Sequence, residues 1–304
     1  MLDETARGVF TIAATPFLPD GALDVPSLAR MTDFYLERGA TGLTILGVMG
    51  EAGKLTPEEA RQVVSEVVGR ADVPVIVGVS AAGLAAIEAL ASDAMEAGAA
   101  GVMVAPPGHL RTDAEIVNYY LTIADRLGQT RWVLQDFPLV TGIKIDPLVI
   151  LKIVADCPNC VMLKHEDWPG LEKIAALRHA ESRGARRISI LCGNGGQFLP
   201  EEIGRGADGA MTGFAFPEMM RDVVAAMGAG DRDRAHDVFD AYLPLVRYES
   251  QPGLGLAVRK FILARRGAIA HDAVRAPGPK LTAAAIGEVE RLITRQERRL
   301  AELG

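Results

Sequence analysis

The 304-residue sequence is poor in the features that mark several protein classes. It has three cysteines, Cys157, Cys160 and Cys192, too few to staple a chain of this length into a disulfide scaffold. No run approaches the roughly 18 consecutive apolar residues of a membrane-spanning helix. The opening MLDETARGVF has no basic segment followed by an apolar one, so no secretory signal is expected. A basic excess is also missing. Lys+Arg is 32 against Asp+Glu 39, a formal net charge of −7, which argues against binding to the nucleic-acid backbone. Histidines number five and aromatics 5%. These absences leave a soluble, cytosolic protein with a sizeable core as the expectation.

What is present is a repeated alternation of short apolar runs with longer Ala/Leu/Glu-rich segments. The runs predict strands at 8–15, 42–47, 74–79, 100–104, 131–135, 160–164, 188–192 and 208–212. Because they are almost continuously apolar, they fit a parallel sheet covered on both faces. Helical segments follow near 26–38, 57–70, 83–97, 113–127, 147–156, 168–182, 197–204 and 217–228. Thr56-Pro57-Glu58-Glu59 supplies an N-cap, a proline at N1 and early carboxylates. Gly39-Ala40-Thr41-Gly42 echoes in Gly98-Ala99-Ala100-Gly101 and Gly206-Ala207-Asp208-Gly209, each closing a helix and opening a strand. Eight such units predict a (β/α)₈ barrel over residues 1–228. A doubly wound open sheet is disfavoured, since no Gly-x-Gly-x-x-Gly follows the first strand. Residues 229–304 lack strand runs and predict a C-terminal helical extension, with helices near 231–248, 253–267 and 282–300.

In such a barrel the chemistry sits at the C-terminal ends of the strands. That rule selects Thr15-Pro16, Gly47 to Glu51, His109, Gln135-Asp136, Lys164-His165-Glu166, Gly193 to Gly196 and Thr212-Gly213. Lys164 ends the apolar run Val161-Met162-Leu163. Desolvation there disfavours the ammonium, and a neutral amine is what attacks a carbonyl carbon. Glu166, two residues on, shares its side of the strand and is placed to move protons. Position alone leaves a second reading open, a rim lysine paired with Glu166 or Asp167. The glycines of Gly47-x-x-Gly50-Glu51 suit either an anion nest of backbone N–H groups or a plain tight turn. Gly53-Lys54 is not a P-loop, because Leu55 stands where Ser or Thr is required. Gly193-Asn194-Gly195-Gly196 has no Lys or Arg within it and suits a flexible rim for a polar, unphosphorylated substrate. Cys157-Pro158-Asn159-Cys160 has redox or metal spacing but falls at the opposite end of the barrel, where a structural role is expected. His165-Glu166-Asp167 could contribute to a metal site, but no second histidine lies nearby in sequence.

Taken together, these stations resemble the dihydrodipicolinate synthase / N-acetylneuraminate lyase family over nearly the whole chain. The stations are Ala14-Thr15-Pro16-Phe17 with Asp20-Gly21, Gly47-x-x-Gly50-Glu51-x-x-x-Leu55, Pro138 with Thr141-Gly142, Lys164, and Gly193 followed by Gly209-Ala210-Met211-Thr212-Gly213. The resemblance implies a barrel with a helical extension, a homo-oligomer (tetramer or dimer), and a Schiff base between Lys164 and a 2-oxo acid. It implies no metal or other cofactor. It places the substrate carboxylate at Val48 and Met49, whose side chains lack the usual hydroxyls and leave only backbone N–H donors. It also places Met211 beside the keto acid, with Gly47, Gly193 and Thr212 as further substrate-binding candidates.

There are departures. Gln135-Asp136-Phe137-Pro138 stands where the family has Tyr-Asn-x-Pro, so a group that cannot ionise replaces the proton-relaying tyrosine. Val140 stands where the synthase branch has an arginine, and Pro106-Pro107-Gly108-His109 replaces a tyrosine pair. Gln-Asp-x-Pro resembles the 2-keto-3-deoxy sugar acid dehydratase branch, with Gln135 and Asp136 expected to hydrogen-bond substrate hydroxyls. The expected activity is therefore aldol cleavage or condensation, or dehydration, of a 2-oxo acid, with Lys164, Gln135 and Glu166 carrying the chemistry. The synthase reaction itself and a catalytically silent acid-binding paralogue are the alternatives.

Overall fold

In the computed structural model, which describes residues 2–304, eight parallel strands close into one barrel in sequence order. They are β1 (Gly8–Ile12), β2 (Gly42–Ile45), β3 (Val75–Gly78), β4 (Gly101–Val104), β5 (Trp132–Asp136), β6 (Cys160–His165), β7 (Ser189–Cys192) and β8 (Gly209–Thr212). Closure is made by β1 against β8, with Gly8 opposite Gly209 and Thr11 opposite Thr212. A side chain at Gly209 would run into the Gly8 backbone, so glycine lets these two strands meet.

The helices between strands are α1 (Val25–Glu37), α2 (Pro57–Arg70), α3 (Leu84–Glu96), α4 (Asp113–Leu127), α5 (Pro138–Thr141), α6 (Pro147–Asp156), α7 (Leu171–Ser182), α8 (Leu199–Gly204) and α9 (Pro217–Gly228). At α2 and α4, Thr56 with Glu59 and Thr112 with Glu115 form capping boxes. Asp24 and Asp146 cap α1 and α6 just before a proline. The sequence pattern missed α5, a single turn directly after β5. It also began α7 too early, because Trp168-Pro169-Gly170 stays outside the helix.

Period-2 alternation divides the core in two. Phe10, Ile12, Ile76, Met103, Val133, Met162, Leu191 and Met211 fill the barrel. Leu43, Val77, Val102, Leu134, Leu163 and Ile190 face the helices. After Gly228 the chain continues as α10 (Arg232–Glu249), α11 (Gly255–Arg265) and α12 (Ala283–Glu302), the helical extension expected from the absence of strand runs. No helix among the described residues is long and apolar enough to cross a membrane.

Candidate active site

Strand pairing brings the central residues together. Gln135 on β5 lies opposite Lys164 on β6, and Asp136 lies opposite His165. Alternation then sends Gln135 and Lys164 into the barrel and Asp136 and His165 outward. Lys164 is 3% exposed. Its Nζ lies 2.8 Å from Glu166 Oε2, and Gln135 Nε2 donates to that same oxygen at 2.7 Å. The Phe137 ring stands 5.7 Å from the amine.

Glu166 is held by its backbone on both sides. Its N–H donates to Asp136 O at 2.8 Å, and its carbonyl accepts from Asn194 Nδ2 at 2.8 Å. Gly193 N–H donates to His165 O at 2.8 Å, and any side chain at Gly193 would collide with the Glu166 side chain. Thr212 Oγ1 accepts from Gly195 N–H at 2.8 Å. Gly193 and Thr212 thus shape the wall behind Glu166. The Gly193–Gly196 segment, expected as a flexible rim, is tied in by these bonds.

Asp136 departs from expectation. It is fully buried on the outer face of β5, where Oδ2 accepts from Lys173 Nζ of α7 at 2.7 Å. Lys173 also reaches Asp167 at 2.9 Å. Asp136 is therefore a strut between strand and helix and does not face a substrate hydroxyl. His165 lies on the same outer side, 3.7 Å from Asp136, and is separated by the strand from Glu166. No group of three or more His, Cys, Asp and Glu among the described residues is arranged around a common metal position.

Above the Gln135–Lys164 pair opens a cavity of about 730 Å³, lined by Gly47, Val48, Ser80, Met103, Pro106, Pro107, Gln135, Phe137, Val140 and Leu256, among others. Lys164 is not part of its lining and stands beside it, opposite Gln135 on the neighbouring strand. Met211 lies deeper, fully buried in the barrel interior. His109, the remaining strand-end candidate, lines a separate groove with Leu84, Tyr119 and Glu115.

One wall of the cavity is the turn after β2. Val48–Gly50 forms a single 3₁₀ turn, closed by Gly50 N–H to Gly47 O at 3.0 Å. Thr15 Oγ1 donates to Gly50 O at 2.6 Å. Met49 packs down on the barrel interior, whereas Val48 is 56% exposed. Leu46 and Glu51, at either end, both have φ near +54°, a conformation unusual for residues with a side chain.

Glu51 is 4% exposed and satisfies three donors. Oε1 accepts from Lys260 Nζ at 2.5 Å; Oε2 accepts from Lys54 Nζ at 2.8 Å and Arg275 N–H at 3.1 Å. Lys260, on α11, also donates to Ala273 O at 2.8 Å and lies 4.5 Å above the Phe17 ring. Burial pulls the Lys260 ammonium below its ordinary pKa, and Glu51 opposes that shift. The neighbouring Arg259 braces the turn after β8. Its Nε donates to buried Glu249 at 2.5 Å, and its guanidinium donates to Gly213 O. Ala215 N–H donates to the same Glu249 at 3.1 Å. Burial raises the Glu249 carboxyl. Two consecutive residues of one helix in the extension thus hold two turns of the barrel mouth. Sequence reasoning passed over both, although a basic pair between Leu256-Ala257-Val258 and Phe261-Ile262-Leu263 is the signal that could have found them.

A closed (β/α)₈ barrel carrying a desolvated lysine at the end of its sixth strand, beside a carboxylate, has the form of a class I, imine-forming lyase. The sequence profile of the Dihydrodipicolinate synthetase family matches residues 5–296. The chain belongs to that family, a lyase family whose members act on 2-oxo acids through a Schiff base. It is 31% identical over 290 residues to the L-2-keto-3-deoxyarabonate dehydratase of Azospirillum brasilense, covering 90% of this chain and 89% of that one. It is 28% identical over 293 residues to the 4-hydroxy-tetrahydrodipicolinate synthase of Chlorobium luteolum, covering 94% and 95%. Among solved structures, a dihydrodipicolinate synthase from Rhodopseudomonas palustris is 53% identical and superposes with a TM-score of 0.95 over 97% of this chain and 99% of that one.

Proposed function

We propose that Lys164 is the nucleophile of this lyase and that Glu166, steered by Gln135, moves its protons. The observation that carries this reading is the convergence of the Lys164 amine and the Gln135 amide on one oxygen of buried Glu166. In the proposed sequence Lys164 Nζ adds to C2 of a 2-oxo acid and hands a proton to Glu166. Departure of the C2 oxygen as water leaves an iminium, an electron sink conjugated to C3. Either the C3–C4 bond or a hydroxyl at C4 is then released. The carboxylate of the acid is bound by the N–H groups of Val48 and Met49, which begin a turn and so have no partner inside it. Gly47 gives that turn its approach, and Met211, Gly193 and Thr212 support the site from below and behind. Gln135 cannot relay a proton itself, so its role is to hold Glu166 in place.

The synthase reaction is disfavoured as a second reading, because Val140 offers no donor to a second carboxylate and no arginine lines the cavity. Retention of Lys164 with Glu166 in contact speaks against a silent binding paralogue. A cytoplasmic homo-oligomer is part of the proposal, and sedimentation of the purified protein reads its assembly. Borohydride reduction in the presence of pyruvate tests the nucleophile directly. The expected result is a reduced adduct on the peptide bearing Lys164, and an unmodified Lys164 rejects the reading.

A further inference from the structure

The cavity over Gln135 is short of free polar side chains. Its one lining cation among the described residues, Lys54, is held by Glu51 at 2.8 Å and by Arg275 O at 2.7 Å, and Glu51 is saturated as described. Thr141 Oγ1 already donates to Phe137 O and accepts from Ile143 N–H. Ser80 Oγ accepts from Ala105 N–H, which leaves its hydroxyl proton. Gln135 spends one amide N–H on Glu166, which leaves its second N–H and Oε1. Few side-chain hydrogen-bonding positions therefore remain for substrate hydroxyls. Beyond them the wall is Val48, Met103, Pro106, Pro107, Val140 and Leu256. Val48 and Val140 are 56% and 57% exposed, apolar surface that a ligand would cover. A second carboxylate would find no free cationic side chain here, and a polyhydroxyl tail would press hydroxyls against hydrocarbon.

We propose that the substrate is a 4-hydroxy-2-oxo acid whose C4 carries an uncharged apolar group, alkyl or aryl. This rests on the imine reading above and adds the identity of the tail. In the step it implies, the O4 proton passes to the Glu166 carboxylate, and O4 closes to a carbonyl as C3–C4 breaks. The bonding pair of C3–C4 moves into the iminium to give an enamine, and the apolar aldehyde departs. Protonation at C3 and hydrolysis by water return pyruvate and the free Lys164 amine. No oxidant or reductant is consumed.

The experiment runs the reaction in the direction of synthesis. The full chain is given pyruvate with a series from propanal to pentanal, or with benzaldehyde, glyceraldehyde or succinic semialdehyde, and borohydride trapping with pyruvate alone is measured in parallel. Both apolar aldehydes are expected to exceed the other two in kcat/KM by at least about tenfold, with a gain of about fourfold per added methylene from propanal to pentanal. Val140→Arg is expected to shift the ratio toward succinic semialdehyde by about tenfold or more. Trapping combined with a preference for glyceraldehyde or succinic semialdehyde, or with no aldehyde used, overturns this proposal and leaves the imine reading standing. A ratio untouched by Val140→Arg removes that wall from specificity and overturns the assignment. No trapped adduct overturns both readings.

Discussion

Two buried lysine–glutamate pairs face each other across the barrel mouth, Lys164–Glu166 on β6 and Lys260–Glu51 between α11 and the turn after β2. Their separations are similar, 2.8 Å and 2.5 Å. Their surroundings differ. Lys260 has a second acceptor in Ala273 O, and Glu51 has two further donors in Lys54 and Arg275. Among the described residues Lys164 has Glu166 alone as an ionic partner, and the one further donor to the Glu166 carboxylate is an uncharged amide. A saturated pair fixes geometry. An unsaturated one keeps a lone pair within reach of the reacting state. Burial of a lysine therefore separates a strut from the proposed nucleophile less well than what else its partner holds.

The sharpest way to break this comparison is Lys164→Ala. Turnover is expected to fall by about 10⁴-fold or more, and borohydride trapping should vanish. Thermal denaturation should show the fold retained, because no other cation depends on Glu166. Glu166→Gln comes next, with kcat lowered by roughly 10²–10⁴-fold while a slower trapped adduct still forms. Equal loss in kcat and in trapping would move Glu166 from proton transfer to positioning of the amine.

On the other wall the effect should appear in stability. Lys260→Met leaves the Glu51 carboxylate buried without its main charge partner, and urea unfolding should read a loss of about 3–5 kcal/mol. Adding Glu51→Gln should restore part of it, because the two changes act on one interaction. A Lys260→Met protein as stable as the parent would show that Lys54 and Arg275 suffice and that the pair is not a strut.

A smaller effect tests burial of an acid with no cationic partner. Burial raises the Glu202 carboxyl to about 8 from an ordinary 4.5, beside the Cys192 thiol, which burial also raises. Its folded-state pKa lies above its unfolded one, so the folded protein holds more protons between those values. Its favourable contribution is complete below about pH 4.5 and is lost as pH rises toward 8. Glu202→Gln should therefore raise the free energy of unfolding, read in urea, more at pH 8 than at pH 5, by on the order of 1–3 kcal/mol. Equal gains at both pH values would contradict the raised carboxyl. The smallest expected change is in Cys157→Ser with Cys160→Ser. Both thiols are free and buried at the start of β6, the far end from Lys164, and activity should stay within a few-fold.

The barrel was legible because eight buried strands leave eight apolar runs, and Lys164 because a charge ends one of them. Glu166 followed from the two-residue period of a strand. The direction of Asp136 did not, because the same alternation that turns Gln135 inward turns its neighbour outward, and the sequence reading had assigned both to the substrate. The bracing of the mouth was invisible for another reason. Glu51 and Lys260 lie 209 positions apart, and no local pattern records a contact of that separation. The short helix after β5 escaped because one turn is below what periodicity resolves.

The clamp from α11 has a consequence for how the protein is made. Ribosomes release the barrel strands first, while Lys260 and Arg275 emerge near the end of the chain. Until they arrive, Glu51, in the turn that walls the cavity, has Lys54 but lacks the other two of its three donors. A chain cut between Thr212 and Lys260 keeps all eight strand sequences and Lys164 itself, and leaves Lys54 as the charged side chain on Glu51.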